Sequence, residues 1–337
     1  GLQWHFSDVD LVLTGSGYRH QATGSIILGK NSSGPIELQL EWFGDLLNPH
    51  GWDGQIYLRG ESVELTRLIG GEQNQWSSLA QGRADLEWWG EWLSGRLEKG
   101  RGTLDRDNSN LQLPGVAGGE FFWKKYADDE WKLQLDQLVW GGERESDRTN
   151  HPTSALIERK KDKFGNDILL GAIDRISLVA SPSLSGLYAT FFRGEDGILV
   201  AGNLHHVQFR SYPTNSSMMH KLEAQMDVSQ ISVQGLKNMA GRGVSRVNGK
   251  LWVNQQSGVF VPDTGELIVE TGGIYKQPLH VDLQQGTVAW RQYPAGLLIS
   301  SDLMEGVFGE LQVKGKLQLL MPTDGGSPVL DLMAGVS

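Results

Sequence analysis

The residues of this sequence that could do chemistry are scattered, and their spacing does not assemble a reacting group. His205-His206 is the one adjacent histidine pair. Residues 204–209 read as a strand, where neighbouring side chains point to opposite faces, so the two imidazoles do not converge on one ion. Asp8 and Asp10 share a strand face, but a general acid–base pair needs a cleft and a second partner. Asp105-Arg-Asp-Asn-Ser-Asn resembles the first half of a calcium loop and lacks its central glycine and terminal glutamate. Asp263-Thr-Gly-Glu reads as a hairpin turn between residues 259–261 and 267–269. There is no phosphate-binding loop, dinucleotide fingerprint or Gly-x-Ser-x-Gly elbow. With no cysteine in the chain, a thiol nucleophile, a disulfide framework and a thiolate metal site are excluded. Asn31-Ser-Ser and Asn215-Ser-Ser match a glycosylation acceptor that is common by chance. Trp88, Trp89 and Trp92 form the densest aromatic cluster. Alternation puts Trp88 and Trp89 on opposite faces, so they pack against the sheet rather than form one stacking platform. The expected reading is therefore no catalytic residue, no metal and no cofactor.

The elements around these residues say more. The 337 residues carry a net charge of −10, with 39% hydrophobic and 21% charged residues, enough apolar content for a folded core. The acidic balance argues against a nucleic-acid footprint. No run of 18 apolar residues occurs, so no transmembrane helix is predicted. The chain opens on Gly1 without a leader pattern and reads as a piece of a longer protein. Glycine, 44 of the residues, is about twice its usual share.

Alternation with a period of two dominates. Ile36, Leu38, Leu40 and Trp42 alternate with Glu37, Gln39 and Glu41. Leu133 and Leu135, Val281 and Leu283, and Leu317 and Leu319 repeat the pattern. Each such segment has one apolar and one polar face, as in an antiparallel sheet wetted on one side. Breaks recur every 8 to 15 residues or so, which predicts about 24 strands. Short helices are predicted at 63–69 and 182–192, the second opening with Ser181 as a cap and Pro182 at the first helical position. The charged stretch 143–163 reads as a solvated hairpin, residues 154–161 returning at 167–172, and 141–166 is the softest point for a division of one continuous domain.

A sheet with an apolar face and no covering helix must pack a second sheet, close into a barrel, or curl around a ligand. Three readings follow. The first is an apolar trough lined by Ile36, Leu38, Leu40, Leu133, Leu135, Leu267, Val269, Val281, Leu283, Leu317 and Leu319, with glycine permitting the curvature. The second is a secreted carbohydrate-binding or carbohydrate-active β-solenoid, motivated by the glycine, tryptophan and acidic charge; it requires parallel strands in regular coils. The third is a structural or adhesive array of β-sandwiches with closed cores.

A longer pattern separates them. Gly235-Leu-Lys-Asn-Met-Ala-Gly-Arg-Gly243, Val247-Asn-Gly-Lys-Leu251 and Gly265-Glu-Leu-Ile-Val-Glu270 lead into the run from Tyr275 to Trp290, and Ser327-Pro-Val-Leu-Asp-Leu332 closes it. With Gly51-Trp-Asp-Gly-Gln-Ile-Tyr-Leu58, residues 84–92 and Asp174-Arg-Ile-Ser-Leu178, the order resembles the YhdP family of the AsmA-like superfamily along nearly the whole chain. The resemblance implies an all-β, long, curled, mostly antiparallel sheet forming an open apolar trough, with one or two short helices. It further implies a periplasmic section of a bridge-like lipid transfer protein of the Gram-negative envelope, anchored in the inner membrane by a helix outside this stretch. Such a section would conduct phospholipids between the inner and outer membranes and support the outer-membrane permeability barrier. The partners so implied are phospholipid acyl chains, neighbouring trough sections of the same full-length chain and, through other parts, the two membranes. The family brings no catalytic motif and no cofactor.

Overall fold

The computed structural model describes residues 6–28, 34–45, 47–64, 83–106, 116–127, 129–140, 153–178, 198–213, 220–235, 242–271, 277–322 and 329–336. Within them the protein is all-β and antiparallel, with twenty-one strands. The single helical element there is a 3₁₀ turn at Pro49–Gly51. The chain forms two compact units, Gly1–Asp167 and Ile168–Ser337.

The first unit is a meander of β1 (Phe6–Ser16), β2 (Arg19–Leu28), β3 (Ile36–Phe43), β4 (Asp53–Glu64), β5 (Arg83–Leu93), β6 (Arg96–Arg106), β7 (Val116–Ala127), β8 (Glu130–Trp140) and β9 (Thr153–Lys161). Each strand pairs with the next. The turns follow from local chemistry. Ser94 and Gly95 link β5 to β6 with φ of 51° and 71°, the left-handed pair that matches the twist of a tight hairpin. Ser94 N–H donates to Asp53 Oδ1 at 2.7 Å. After β9, Asp162 Oδ1 accepts the backbone N–H groups of Phe164 and Asn166 at 2.8 and 2.9 Å. Those bonds hold its carboxyl below the usual range.

The alternation predicted for β3 is observed, and a tight core forms beside it. Ile36 and the fully buried Val63 are packed by Ile26, Leu58 and Leu86. Val63 was expected to open a short helix, but it lies within β4 and corrects that expectation. An extra residue, Ser62 at φ 53°, bulges the strand between Gly60 and Val63, and its N–H donates to Asp85 Oδ1 at 2.7 Å. The bulge turns Val63 onto Ile36, so tertiary burial overrides the weak helical signal. Residues 65–69 and the helix predicted at 182–192 lie outside the described residues.

The second unit opens with β10 (Asp167–Leu178), β11 (Ile198–Pro213), β12 (His220–Gly235) and β13 (Arg242–Asn254), again a meander. Beyond β13 come β14 (Ser257–Pro262), β15 (Gly265–Thr271), β16 (Leu279–Gln285), β17 (Val288–Tyr293), β18 (Gly296–Ser301), β19 (Met304–Phe308), β20 (Leu311–Pro322) and β21 (Val329–Val336). Here the structure corrects a second expectation. Asp263-Thr-Gly is not a hairpin turn, because β14 and β15 both pair antiparallel with β13, one with each half of it. They run in the same direction, end to end. In the same way β16 pairs with β15 and β19, while β17 pairs with β14 and β18. The intact β20 pairs with both β18 and β19.

These breaks line up into a transverse crease. Gln230 N–H donates to Asn248 Oδ1 at 2.7 Å, and Asp263 N–H donates to the Asn248 carbonyl at 2.9 Å. Asp302 N–H reaches the Thr287 carbonyl at 2.9 Å, and Leu317 N–H reaches Ser301 Oγ at 2.8 Å. Gln230 and Arg246 sit at register shifts with φ of 53° and 59°. A one-residue slip moves every later side chain to the other face. The register shows the slip: the face that carries Trp290 takes even-numbered residues in β14 (Gly258, Phe260) and odd-numbered ones in β15 (Leu267, Val269), and odd-numbered ones in β16 (Val281, Leu283) against even-numbered ones in β17 (Val288, Trp290).

Candidate functional site: one apolar face in each unit

In a sheet, residues in register lie side by side on one face. Following the register across the first unit gives two unbroken rows. One runs Leu13, Ala22, Leu40, Ile56 and Gly90, then Gly100, Trp123, Leu133 and Ile157. The other runs Leu11, Gly24, Leu38, Leu58 and Trp88, then Gly102, Phe121, Leu135 and Ala155. Each crosses nine strands without one polar side chain. At about 4.8 Å between strands, such a row spans on the order of 38 Å. No α-helix among the described residues covers it, and most members beyond the edge strand are half-buried.

The opposite face is mostly polar, with Val12, Tyr57, Trp89, Phe122 and Leu156 as apolar members of one row. Another row there runs Thr14, Gln21, Glu41, Gln55 and Glu91, then Lys99, Lys124, Lys132 and Glu158. Lys99 and Glu91 pair at 2.8 Å. Trp89 also lies on this face, with Tyr57 at 5.2 Å and the Arg101 guanidinium at 5.3 Å. Trp88 and Trp89 are thus separated by the sheet, as alternation predicts.

In the second unit one row runs Gly171, Phe209, Ala224, Val253 and Gly258, then Trp290, Ile299, Leu319 and Leu330. Beside it Leu317 faces Leu332. Beyond the crease Leu267 faces Val281, and Val269 lies between Val244 and Leu279. Leu283, 6% exposed, lies between Gly265 and Gly306. Glycine serves close approach here. A Cβ on Gly258 would sit 2.1 Å from the Trp290 ring, and one on Gly100 would sit 2.7 Å from the Trp88 indole nitrogen. The indoles fill the space that a side chain at those glycines would take.

The structure therefore brings Leu40 with Leu133, Leu38 with Leu135, and Leu267 with Val281 into common rows, with Ile36 in the packed core beside them. Leu317 and Leu319 follow one another on one face of β20. Sequence reasoning missed Ile56, Leu58, Trp88, Phe121, Trp123, Phe209, Val253 and Trp290. An aromatic residue facing a glycine across a hairpin is the signal that finds several of them.

The histidine pair corrects the opposite-face expectation: β11 bulges between His205 and Gln208, His206 takes a φ of 50°, and the two rings, 6.4 Å apart, bond to side chains two residues apart on β12. His205 Nε2 lies 2.8 Å from Ser229 Oγ, and His206 Nδ1 lies 2.9 Å from Asp227 Oδ2. Asp8 and Asp10 are exposed on β1. Asp105 lies in β6, and residues 107–110 of the calcium-like run lie outside the described residues. Among the described residues no group of three or more acidic or histidine side chains could hold a metal ion.

The sequence model of the YhdP protein family matches residues 4–337. The chain belongs to the YhdP family. No curated protein and no solved structure matches it. Membership of the YhdP family points to lipid transport of the AsmA-like kind, in the Gram-negative envelope. It agrees with the architecture: the pairings described are all antiparallel, which leaves no place for the parallel coils of a carbohydrate-binding solenoid.

Proposed function

We propose that this chain is a periplasmic section of an AsmA-like protein that carries phospholipid acyl chains along its apolar faces between the inner and outer membranes. The observation that carries the reading is the pair of nine-strand apolar rows in the first unit, backed by a fully polar row on the other face. Burying an acyl chain is worth about 0.8 kcal/mol per CH₂, on the order of 13 kcal/mol for sixteen carbons. A polar interruption forfeits part of that gain, so a carrier needs rows of this uninterrupted kind. The chemistry required is passive and needs no reactive group or cofactor. Neighbouring sections of a longer chain would extend the lane, and anchoring to the inner membrane would lie with other parts.

Organic extraction of the purified chain tests the reading. Phospholipid is expected in the extract at about one or more molecules per chain, and the native mass spectrum is expected to carry the corresponding adducts. A chain that purifies free of lipid, and takes up none from detergent-solubilised phospholipid, contradicts it.

A further inference from the structure

At one end of the first sheet the apolar face changes character. One same-face step beyond the row of Leu40 and Ile56, about 6.7 Å along the strands, the register runs His20, Trp42, Gly54 and Trp92. Trp42 is 3% exposed. His20 stacks on it at 5.2 Å and Trp52 packs at 5.0 Å. Two members of this aromatic rim have spent their polar atoms: Trp52 Nε1 donates to the Asp45 carbonyl at 2.6 Å, and His20 Nε2 lies 3.1 Å from the Gly44 carbonyl. The other two have not. The indole N–H groups of Trp42 and Trp92 are both shut away from water and find no acceptor among the described residues. A buried donor left without an acceptor is costly and calls for a partner. Just past the rim, Tyr18 in the turn between β1 and β2 is exposed, so the strand ends pass from apolar to amphipathic and then to water, the gradient that aromatic residues mark at lipid–water boundaries.

The two free donors are neutral, which suits a neutral acceptor. We propose that this rim is the subsite for the ester-linked glycerol of a two-tailed lipid, with Trp42 and Trp92 donating to its ester carbonyl oxygens while the tails lie over the adjoining apolar rows. The proposal rests on the lipid reading of that face and adds where the polar end sits and what recognises it.

Binding of dioctanoyl phosphatidylglycerol is compared with that of its dioctyl ether analogue, which keeps chains and headgroup but lacks both carbonyls. The chain is expected to hold the diester roughly tenfold more tightly, and the Trp42→Phe/Trp92→Phe variant, which keeps the rings and removes the N–H groups, is expected to erase the preference. In chain labelled with ¹⁵N-indole tryptophan, two indole N–H resonances are expected to move on adding the diester and to stay in place with the diether; this readout does not depend on the variant folding. Equal binding of diester and diether overturns the proposal and leaves the lipid reading intact. Binding of neither overturns both.

Discussion

The Leu133→Asp variant is expected to retain at least an order of magnitude less phospholipid than the parent chain, whereas Lys124→Asp retains the parental amount. The two changes each place a carboxylate in the middle of the same sheet, on opposite faces. Leu133 stands between Trp123 and Ile157 in an apolar row. A carboxylate there keeps its water and denies the lane to the chain segment that would cover it. Losing contact with about three methylenes costs about 2.4 kcal/mol, on the order of fiftyfold in affinity. Leu133 is half-buried, so the new carboxylate can reach water and the sheet persists. Lys124 lies between Lys99 and Lys132, where a carboxylate meets two cations and no lipid. Phosphorus per protein in the purified chains is the readout, with circular dichroism to confirm equal strand content. Equal retention by the two variants contradicts the assignment of faces.

The second large effect is expected at the crease. Deleting Gln230 removes the extra residue between Val228 and Ile231, and the rest of β12 then meets β13 with its faces exchanged. Ile231 loses Val247 as its partner, and with it burial worth about 1.5–3 kcal/mol for each side chain turned outward. The midpoint of thermal unfolding is expected to fall by roughly 5–10 °C. Gln230→Gly should do the opposite. Gln230 holds φ at 53°, a conformation costing a non-glycine residue about 1–2 kcal/mol, and its N–H bond to Asn248 is unaffected by the substitution. That variant is expected to melt 2–4 °C higher, by about 1 kcal/mol of relieved strain. Thermal denaturation followed by circular dichroism checks both. A deletion that melts with the parent would mean that the bulge does not set the faces of β12.

How far the sequence could be read follows from where its information is local. In β3 the strand is unbroken, so alternation alone placed Leu38 and Leu40 on the apolar side and Glu37 and Gln39 on the other. The separation of Trp88 from Trp89 was legible for the same reason. The turn residues of Asp263-Thr-Gly were legible as a break and misleading as to its kind. A hairpin and a crease use the same residues, and only the long partner strand β13, reached through non-local pairing, decides between them. In β5 and β6 the apolar face is occupied at Gly90, Gly100 and Gly102, which weakens the alternation. The contribution of those strands emerges only when the register sets them beside Trp88, Trp123 and Phe121. The indole donors of the rim are invisible to pattern reading, because burial without an acceptor is a property of packing.

The central claim, that acyl chains lie on one face of these sheets, is tested most directly by position-specific photocrosslinking. A photoreactive residue is placed singly at Leu38, Leu133, Leu283 and Leu319, and at their neighbours Gln39, Lys132, Asp282 and Gln318, in chain loaded with radiolabelled phosphatidylethanolamine. The account predicts labelled lipid attached at the four leucine positions and little at the four polar ones. Labelling confined to the polar positions, or equal on both, would contradict it.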